Sequence, residues 1–550
     1  MIRELPNRKA ADADVCLLLE GTYPFVRGGV SSWVNEMIRA FAQTRFAIVF
    51  IGSRKEDYSG VAYALPDNVV HIETHFLYEQ PMVDSAPPHA FAGDAAAFAH
   101  SRQLHDAWRN PGQNADVGAL MVGMMPMLGD GAALNEKQFV SSRAAWDTIV
   151  DQYHKYCTDP SFTDYFWTVR IMHGPLWQLA RVSEKLLPAR VYHSVSTGYG
   201  GFLGALMHYR TGRPLLVSEH GIYTKERKID LLQGSWIRDN RGVLERDVSS
   251  VSYFRELWVR FFEAIGKLAY NAADDIVALY EANRQRQIAD GAQPDRTQCI
   301  PNGIDVDALE PLIAERKPRE HCVVALIGRV VPIKDIKNFI RAMFIASRTM
   351  PDLEAWIVGP EEEDPEYALE CRALVENLQL ARNVKFLGFQ RIADVLPQID
   401  LVAISSISEA LPLVVLEGFA AGVPAITTDV GSCRQLIEGS DDEDRALGSA
   451  GMVVQIADPA GFAEAVLSML TDTTRWQAAQ KSGLARVRRY YTRAQMIERY
   501  RTLYERLAAT PDRQGSAFSS GAMNCPIGHH KASGEARSGA VQRSLLKETR

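Results

Sequence analysis

Two carboxylates, Glu409 and Glu417, stand eight residues apart in Ser-Glu-Ala-Leu-Pro-Leu-Val-Val-Leu-Glu, where an apolar run gives way to a helical pattern. Pro412 suits a first helical turn, because its missing N–H would be unpaired there. The spacing therefore predicts Glu409 in a loop at a strand's carboxyl end and Glu417 about one and a half turns into the next helix. Both would face the crevice where open parallel sheets bind ligands. Upstream, Gly328-Arg329 and Lys334 place two cations between another apolar run and another helical pattern. Arg forks two phosphate oxygens, while Lys acts as a mobile point charge. Acceptors for sugar hydroxyls beside donors for phosphate fit a nucleotide-sugar.

Other residues carry weaker signals. The first apolar run ends in Glu20-Gly-Thr-Tyr-Pro-Phe-Val-Arg27-Gly28-Gly29, and a helix begins at once. Gly28 and Gly29 would let backbone approach an anion at the helix N-terminus. A tight turn accounts for the same glycines, and no dinucleotide Gly-x-Gly-x-x-Gly is present. Ser218-Glu219-His220-Gly221 closes a further apolar run. There His220 can bond a sugar hydroxyl, or it can be a satisfied structural histidine. Asn302-Gly303-Ile304-Asp305 is a turn by composition.

Nearly continuous apolar runs at 15–19, 46–52, 69–73, 191–196, 215–219 and 275–279 predict buried strands. A second set lies at 323–327, 353–358, 384–387, 401–404 and 425–427. One-face helical patterns separate them, as in Val30, Val34, Met37, Ile38 and Phe41. Such alternation predicts an α/β protein with two Rossmann-like parallel-sheet domains facing across a cleft. The first spans 14–310 after a tail at 1–13, with a helical insertion at about 78–180. The second spans 311–480. A helical segment follows at 481–508, then a polar tail, 509–550, read as disordered. In the insertion, Met121, Met124, Met125 and Met127 read as core filling.

Totals narrow the class. A chain of 550 residues, 47% hydrophobic and 23% charged, fits a soluble protein of more than one domain. Its net charge of −7 disfavours a dedicated nucleic-acid surface. Seven scattered cysteines without Cys-x-x-Cys point to reduced thiols in a cytoplasmic setting and to no structural zinc. The N-terminus lacks a signal-peptide core, and Glu417 and two prolines interrupt the longest apolar stretch. Any work at the inner face of a membrane would then depend on partners.

Gly-Gly after the first strand, Ser-Glu-His-Gly, Pro-Asn-Gly-Ile-Asp, Gly-Arg-x4-Lys, and Glu-x7-Glu followed by Ala-x-Gly-x-Pro occur in this order. Together they resemble the GT4-family retaining glycosyltransferases of the GT-B fold, over roughly 14–505. Within that family, Ser-Glu-His-Gly-Ile-Tyr-Thr-Lys-Glu-Arg and Gly-Pro-Glu-Glu-Glu-Asp-Pro-Glu-Tyr are similar to the branch serving bacterial Pel exopolysaccharide synthesis. The resemblance implies transfer of a hexosyl or N-acetylhexosaminyl unit from a UDP-sugar to a polysaccharide acceptor, with secretion-complex partners and no metal or other cofactor. Arg329 and Lys334 would hold the diphosphate, Glu417 the ribose and Glu409 the hexose. Backbone near Gly388, Phe389 and Gln390 would carry the base. Gly28, Gly29 and His220 would close from the other domain, and Leu413 and Asn302 would line the site. Two positions depart from the pattern. Glu409-Ala-Leu-Pro412 replaces Glu-Gly-Phe-Gly and removes one N–H, and Gly431-Ser-Cys-Arg-Gln435 ends in Gln rather than Glu. A nucleotide-sugar epimerase or hydrolase, or a non-catalytic UDP-sugar sensor, remains compatible with the same residues.

Overall fold

The structure, a computed structural model, describes residues 8–79, 91–109, 117–159, 161–233, 252–316 and 321–511. The tail read at 509–550 lies almost wholly outside these residues. So do residues 1–7, part of the insertion and residues 317–320 near the start of the second domain.

Among the described residues thirteen strands form two sheets in which every pair is parallel. The first contains β1 (Ala13–Glu20), β2 (Phe46–Gly52), β3 (Val69–Phe76), β4 (Ala189–Ser194), β5 (Leu215–Glu219), β6 (Asp275–Ala278) and β7 (Thr297–Cys299), in the order β3-β2-β1-β4-β5-β6-β7. The second contains β8 (Val323–Ile327), β9 (Glu354–Val358), β10 (Val384–Gly388), β11 (Leu401–Ile404), β12 (Ala425–Thr428) and β13 (Gly451–Val454), in the order β10-β9-β8-β11-β12-β13. Each sheet reverses its order once, at β1/β4 and at β8/β11. There the loops leaving adjacent strands diverge to opposite faces and open a crevice at the strands' carboxyl ends. Helices cover both faces, so the central strands are buried on both sides and read as unbroken apolar runs.

The sequence patterns miss β7 and β13. Both are edge strands, paired on one side only and mostly half-buried, so Thr-Gln-Cys and Gly-Met-Val-Val carry no long apolar run. A second correction concerns Pro412. It is the residue before the helix Leu413–Ala420, with extended backbone, and does not lie inside the first turn.

Between β3 and β4 the chain builds a helical layer: Ala95–Arg109, Val117–Met124, Glu136–Ser141, Arg143–Tyr156 and Phe162–Lys185. It packs on the first sheet's helices, and Met121 and Met125 are buried within it. The last helix, Arg493–Ala508, returns to the first domain after the second is complete. Its Tyr504 hydroxyl lies 2.7 Å from His193 Nδ1, Tyr500 donates to Ser218 Oγ at 3.2 Å, and Arg506 reaches both Asp275 oxygens at 2.7 Å. The chain thus crosses between domains twice. The crossings are bonded together, Ile304 N to Tyr491 O at 2.9 Å and Arg493 N to Ile304 O at 2.8 Å. Gly303 is required there, since a Cβ would meet the Thr492 carbonyl oxygen at 2.4 Å.

Within the second domain, Arg486 and Asp444 form an ion pair with no solvent exposure, Nε to Oδ1 at 2.6 Å. The remaining guanidinium donors bond the carbonyls of Leu436, Ile437, Asp444 and Gly448. This fastens the helix Cys433–Glu438, which follows the Gly431 turn. Removing one partner strands the other charge in a dry interior, at a cost of about 3–5 kcal/mol. Arg486→Met should therefore lower the unfolding free energy of the second domain, read by denaturant titration, by that amount. A loss below ~1 kcal/mol would show that the pair is not holding this corner.

Candidate active site

The β8/β11 crevice gathers the residues with chemistry. Leaving β8, the chain passes Gly328 and Arg329, makes a short turn over Pro332–Lys334, and enters the helix Ile336–Ser347. Asp335 adopts left-handed backbone (φ 43°) and caps that helix through Asn338 N. Leaving β11, Ser405 donates to the carbonyls of Lys334 and Asp335 at 2.8 and 3.0 Å, and Ile407 N bonds the Ile333 carbonyl at 2.9 Å. These bonds clamp the two loops together. In consequence Lys334 Nζ donates to Glu409 Oε1 at 2.5 Å, and Ser406 Oγ donates to the same oxygen at 2.6 Å. Both charged side chains are largely buried. Gly431, at φ 55°, allows the β12 loop to back this arrangement, because a Cβ would lie 2.2 Å from the Glu409 carbonyl oxygen.

Arg329 occupies the open rim of the same crevice. It donates to Glu363 at 2.5 Å, and both side chains are about half exposed. The sequence places Arg329 and Lys334 together as phosphate donors. In the structure each already has a carboxylate, Glu363 for Arg329 and Glu409 for Lys334. Gly359 makes the approach of these loops possible, since a Cβ there would stand 1.9 Å from the Gly328 carbonyl oxygen. Beside it, Gly359 N bonds Gly388 O at 2.9 Å and ties the end of β10 to the crevice. Phe389 follows, 77% exposed, and Gln390 bonds back to the Leu387 carbonyl.

Glu417 lies one turn into the helix Leu413–Ala420, which the half-buried Leu413 opens. No side chain or backbone group among the described residues bonds its carboxylate, and burial pushes the acid up to about 6. An unpaired, poorly solvated carboxylate is costly unless a ligand supplies donors.

Across the molecule, the β1/β4 crevice has its own polar set. Gly28 and Gly29 are exposed at the start of the helix Gly29–Ala40. Glu20 accepts from Tyr223 Oη at 2.7 Å and from Gly200 N at 3.3 Å. Glu219 is buried; loss of water pushes its carboxyl above the usual carboxylate range, and bonds from Tyr270, Gln287, Thr197 and Tyr223 N hold against that rise. His220, next to it, is neutral: burial lowers it to about 4. Its Nδ1 lies 3.5 Å from Asn302 Nδ2, its ring stands edge-on to Trp33 at 4.5 Å, and its Nε2 is buried without a partner among the described residues. Asn302 Oδ1 is likewise unpartnered. The linker residue Asn302 and the strand-end residue His220 are thus brought together, and a donor and an acceptor stay open.

Sequence reasoning passes over Glu363, Ser406 and Trp33. Glu363 sits in an acidic run whose partner could be found only by knowing that the loops after β8 and β9 converge.

Comparison with known proteins adds the family. Residues 13–295 match a family described as "Domain of unknown function (DUF3492)", and residues 321–472 match "Glycosyl transferases group 1". A D-inositol 3-phosphate glycosyltransferase of Geodermatophilus obscurus is 28% identical over 225 residues, 38% of this chain and 48% of that protein. The chain therefore spans about half the length of that relative. Among solved structures, Anabaena Alr3699/HepE in complex with UDP and glucose aligns with a TM-score of 0.52 at 16% identity, covering 90% of this chain and all of that one. Sucrose-phosphate synthase from Thermosynechococcus elongatus aligns at 0.53 and 16%, covering 90% and 99%. The fold is GT-B.

The Glu417 acid gives a test by pH. Its folded value of about 6 exceeds the ordinary 4.5, so the folded state holds the proton more tightly across that window. Stability tied to this group is then present below pH 4.5 and lost as pH rises through 6. Glu417→Gln should gain about 1–2 kcal/mol over the native protein at pH 7.5 and nothing at pH 4. Equal unfolding midpoints for the two proteins at pH 7.5 would contradict a desolvated, unpaired carboxylate.

Proposed function

The chain belongs to the DUF3492 family, and from that premise, with a group 1 glycosyl transferase domain behind it, we propose that it is a UDP-sugar-dependent retaining glycosyltransferase. The transferred unit is a hexose or N-acetylhexosamine, and the acceptor is a growing exopolysaccharide. The observation that supports this most is the Lys334–Glu409 pair at the β8/β11 crevice, with unpaired Glu417 on the helix that follows. UDP bound by the Anabaena protein of like fold is in keeping with the donor class. Resemblance of the Ser-Glu-His-Gly-Ile-Tyr-Thr-Lys-Glu-Arg segment to PelF favours Pel-type polysaccharide.

In this reading the ribose hydroxyls donate to Glu417 and relieve its burial without bonds. The base rests near Gly388–Gln390, against exposed Phe389. Lys334 turns from Glu409 to the diphosphate, and Arg329 turns from Glu363 to join it. Glu409, released, accepts from hexose hydroxyls. Departure of UDP builds negative charge on its terminal phosphate, and the two cations stabilise that charge more in the transition state than before it. The phosphate oxygen, not a protein base, takes the acceptor's proton on the same face. Neutral His220 adds a hydrogen bond from the first domain without opposing the positive charge that develops at the sugar carbon. Closure of the two domains excludes water, which would otherwise compete as acceptor.

No helix among the described residues is long and apolar enough to cross a membrane. Association with the inner face of a membrane is proposed to run through partner subunits.

UDP release from a UDP-sugar panel, with and without oligosaccharide acceptors, tests the proposal. One donor should be turned over without added metal, and Lys334→Ala should lower kcat about 10²–10³-fold. Tight UDP binding with no turnover for any donor–acceptor combination would instead identify a sensor subunit.

A second expectation concerns affinity. Because ribose binding uses the ionised form of Glu417, UDP affinity should rise between pH 5 and 7, and Glu417→Gln should flatten that rise. A calorimetric profile unchanged by the substitution would remove Glu417 from the ribose.

A further inference from the structure

The helical layer between β3 and β4 encloses a cavity that the transfer chemistry does not use. It holds about 120 Å³ and is partly open to solvent. Its walls come from the layer's helices and from the helix Tyr253–Ala272, with Met121, Met125, Leu134, Phe139, Trp177 and Leu268 among the apolar contributors. Methionine side chains adapt to varied apolar shapes, so the cluster first read as core filling also suits a changeable occupant.

Thr148, Gln152, His173 and Arg260 on the wall are hydrogen-bonded within the protein, and two other polar groups keep free donors. Trp108 keeps its indole Nε1–H buried with no acceptor among the described residues. Arg109 donates to the Tyr253 hydroxyl at 3.0 Å and lies over the Tyr156 ring at 4.6 Å, and it forms no ion pair among the described residues. A guanidinium has five N–H groups, so most of its donors remain. The neighbouring acid, Asp106, is taken by Gln152, Lys155 and Tyr156. His105, also on the wall, is kept neutral, first by burial and then by His173 and Arg109, so it adds no second charge. Arg260, also on the wall, already holds Glu256 at 2.8 Å, so one cation without a carboxylate among the described residues and one neutral donor, beside an apolar chamber, match a single anionic head on an apolar chain.

We propose that this cavity binds the end of a single-chain anionic amphiphile, a medium-chain fatty acid in its simplest form, with hydrocarbon among the methionines and carboxylate at Arg109. The volume is just below the ~150 Å³ that takes up benzene, so it accepts a chain end and leaves the rest along the opening. Two of the surrounding helices also turn Trp146, Trp167 and Ile171 to solvent, with 43%, 53% and 47% of each exposed. Arg170 lies over the Phe166 and Trp167 rings. Such aromatic and cationic side chains favour a water–lipid boundary, where such amphiphiles reside.

Titration calorimetry of the full chain with decanoate and with decanol tests this without reference to transfer activity. Decanoate should bind at least about tenfold more tightly than decanol, the difference coming from the Arg109 contact. Arg109→Gln should bring the two ligands to within about twofold. Met125→Trp, which fills the chamber, should abolish both while UDP-sugar turnover stays within about twofold. No heat with decanoate in the native protein, or equal affinity for acid and alcohol, would overturn the proposal. If Met125→Trp does not fold, the Arg109→Gln comparison decides alone.

Discussion

A lysine ammonium and a glutamate carboxylate, 2.5 Å apart and largely shielded from water, fix what the β8/β11 crevice can do. Neither charge would be tolerated there alone, because taking an ion from water costs several kcal/mol unless a partner replaces the lost solvation. Their mutual bond balances the two charges, and the clamp from Ser405 and Ile407 holds both loops in place for it. A ligand that brings its own negative charge and its own hydroxyls can satisfy both residues at once. A nucleotide-sugar has that combination.

The two domains contribute unequally. The second supplies charge: paired cations, an acid at the loop, and a second acid left unbonded on the helix. The first supplies neutral polar groups held by a buried network, in which Glu219 is surrounded by donors and His220 is kept uncharged by burial. Division of labour of this kind needs the halves to meet reproducibly. The doubled crossing provides it, since residues 303–304 and 491–493 are bonded to each other and the final helix is fixed to the first sheet by Tyr500, Tyr504 and Arg506.

Much of this is legible in the sequence, for identifiable reasons. Central parallel strands are buried on both faces, so residues 46–52 and 401–404 announce themselves as apolar runs, and their loops fall where open sheets bind ligands. Edge strands β7 and β13 lack that signature because one side has no neighbour. The sequence marks residues 481–508 as helical, but it shows neither the break between the helices Thr473–Tyr490 and Arg493–Ala508 nor which domain the second one covers. Charge pairing is the hardest part to read. Arg329 and Lys334 look like free phosphate donors until the loops after β9 and β11 are seen to bring Glu363 and Glu409 against them. The methionine cluster likewise reads as packing, because a gap between side chains leaves no mark in the order of residues.

A crystal structure of the chain with UDP is the most direct test of the central claim. The account predicts UDP at the β8/β11 crevice, with the Lys334 ammonium moved from Glu409 to a phosphate oxygen and the Glu417 carboxylate bonded to the ribose hydroxyls. UDP bound elsewhere, or bound there with the Lys334–Glu409 pair intact and Glu417 still unbonded, would contradict it.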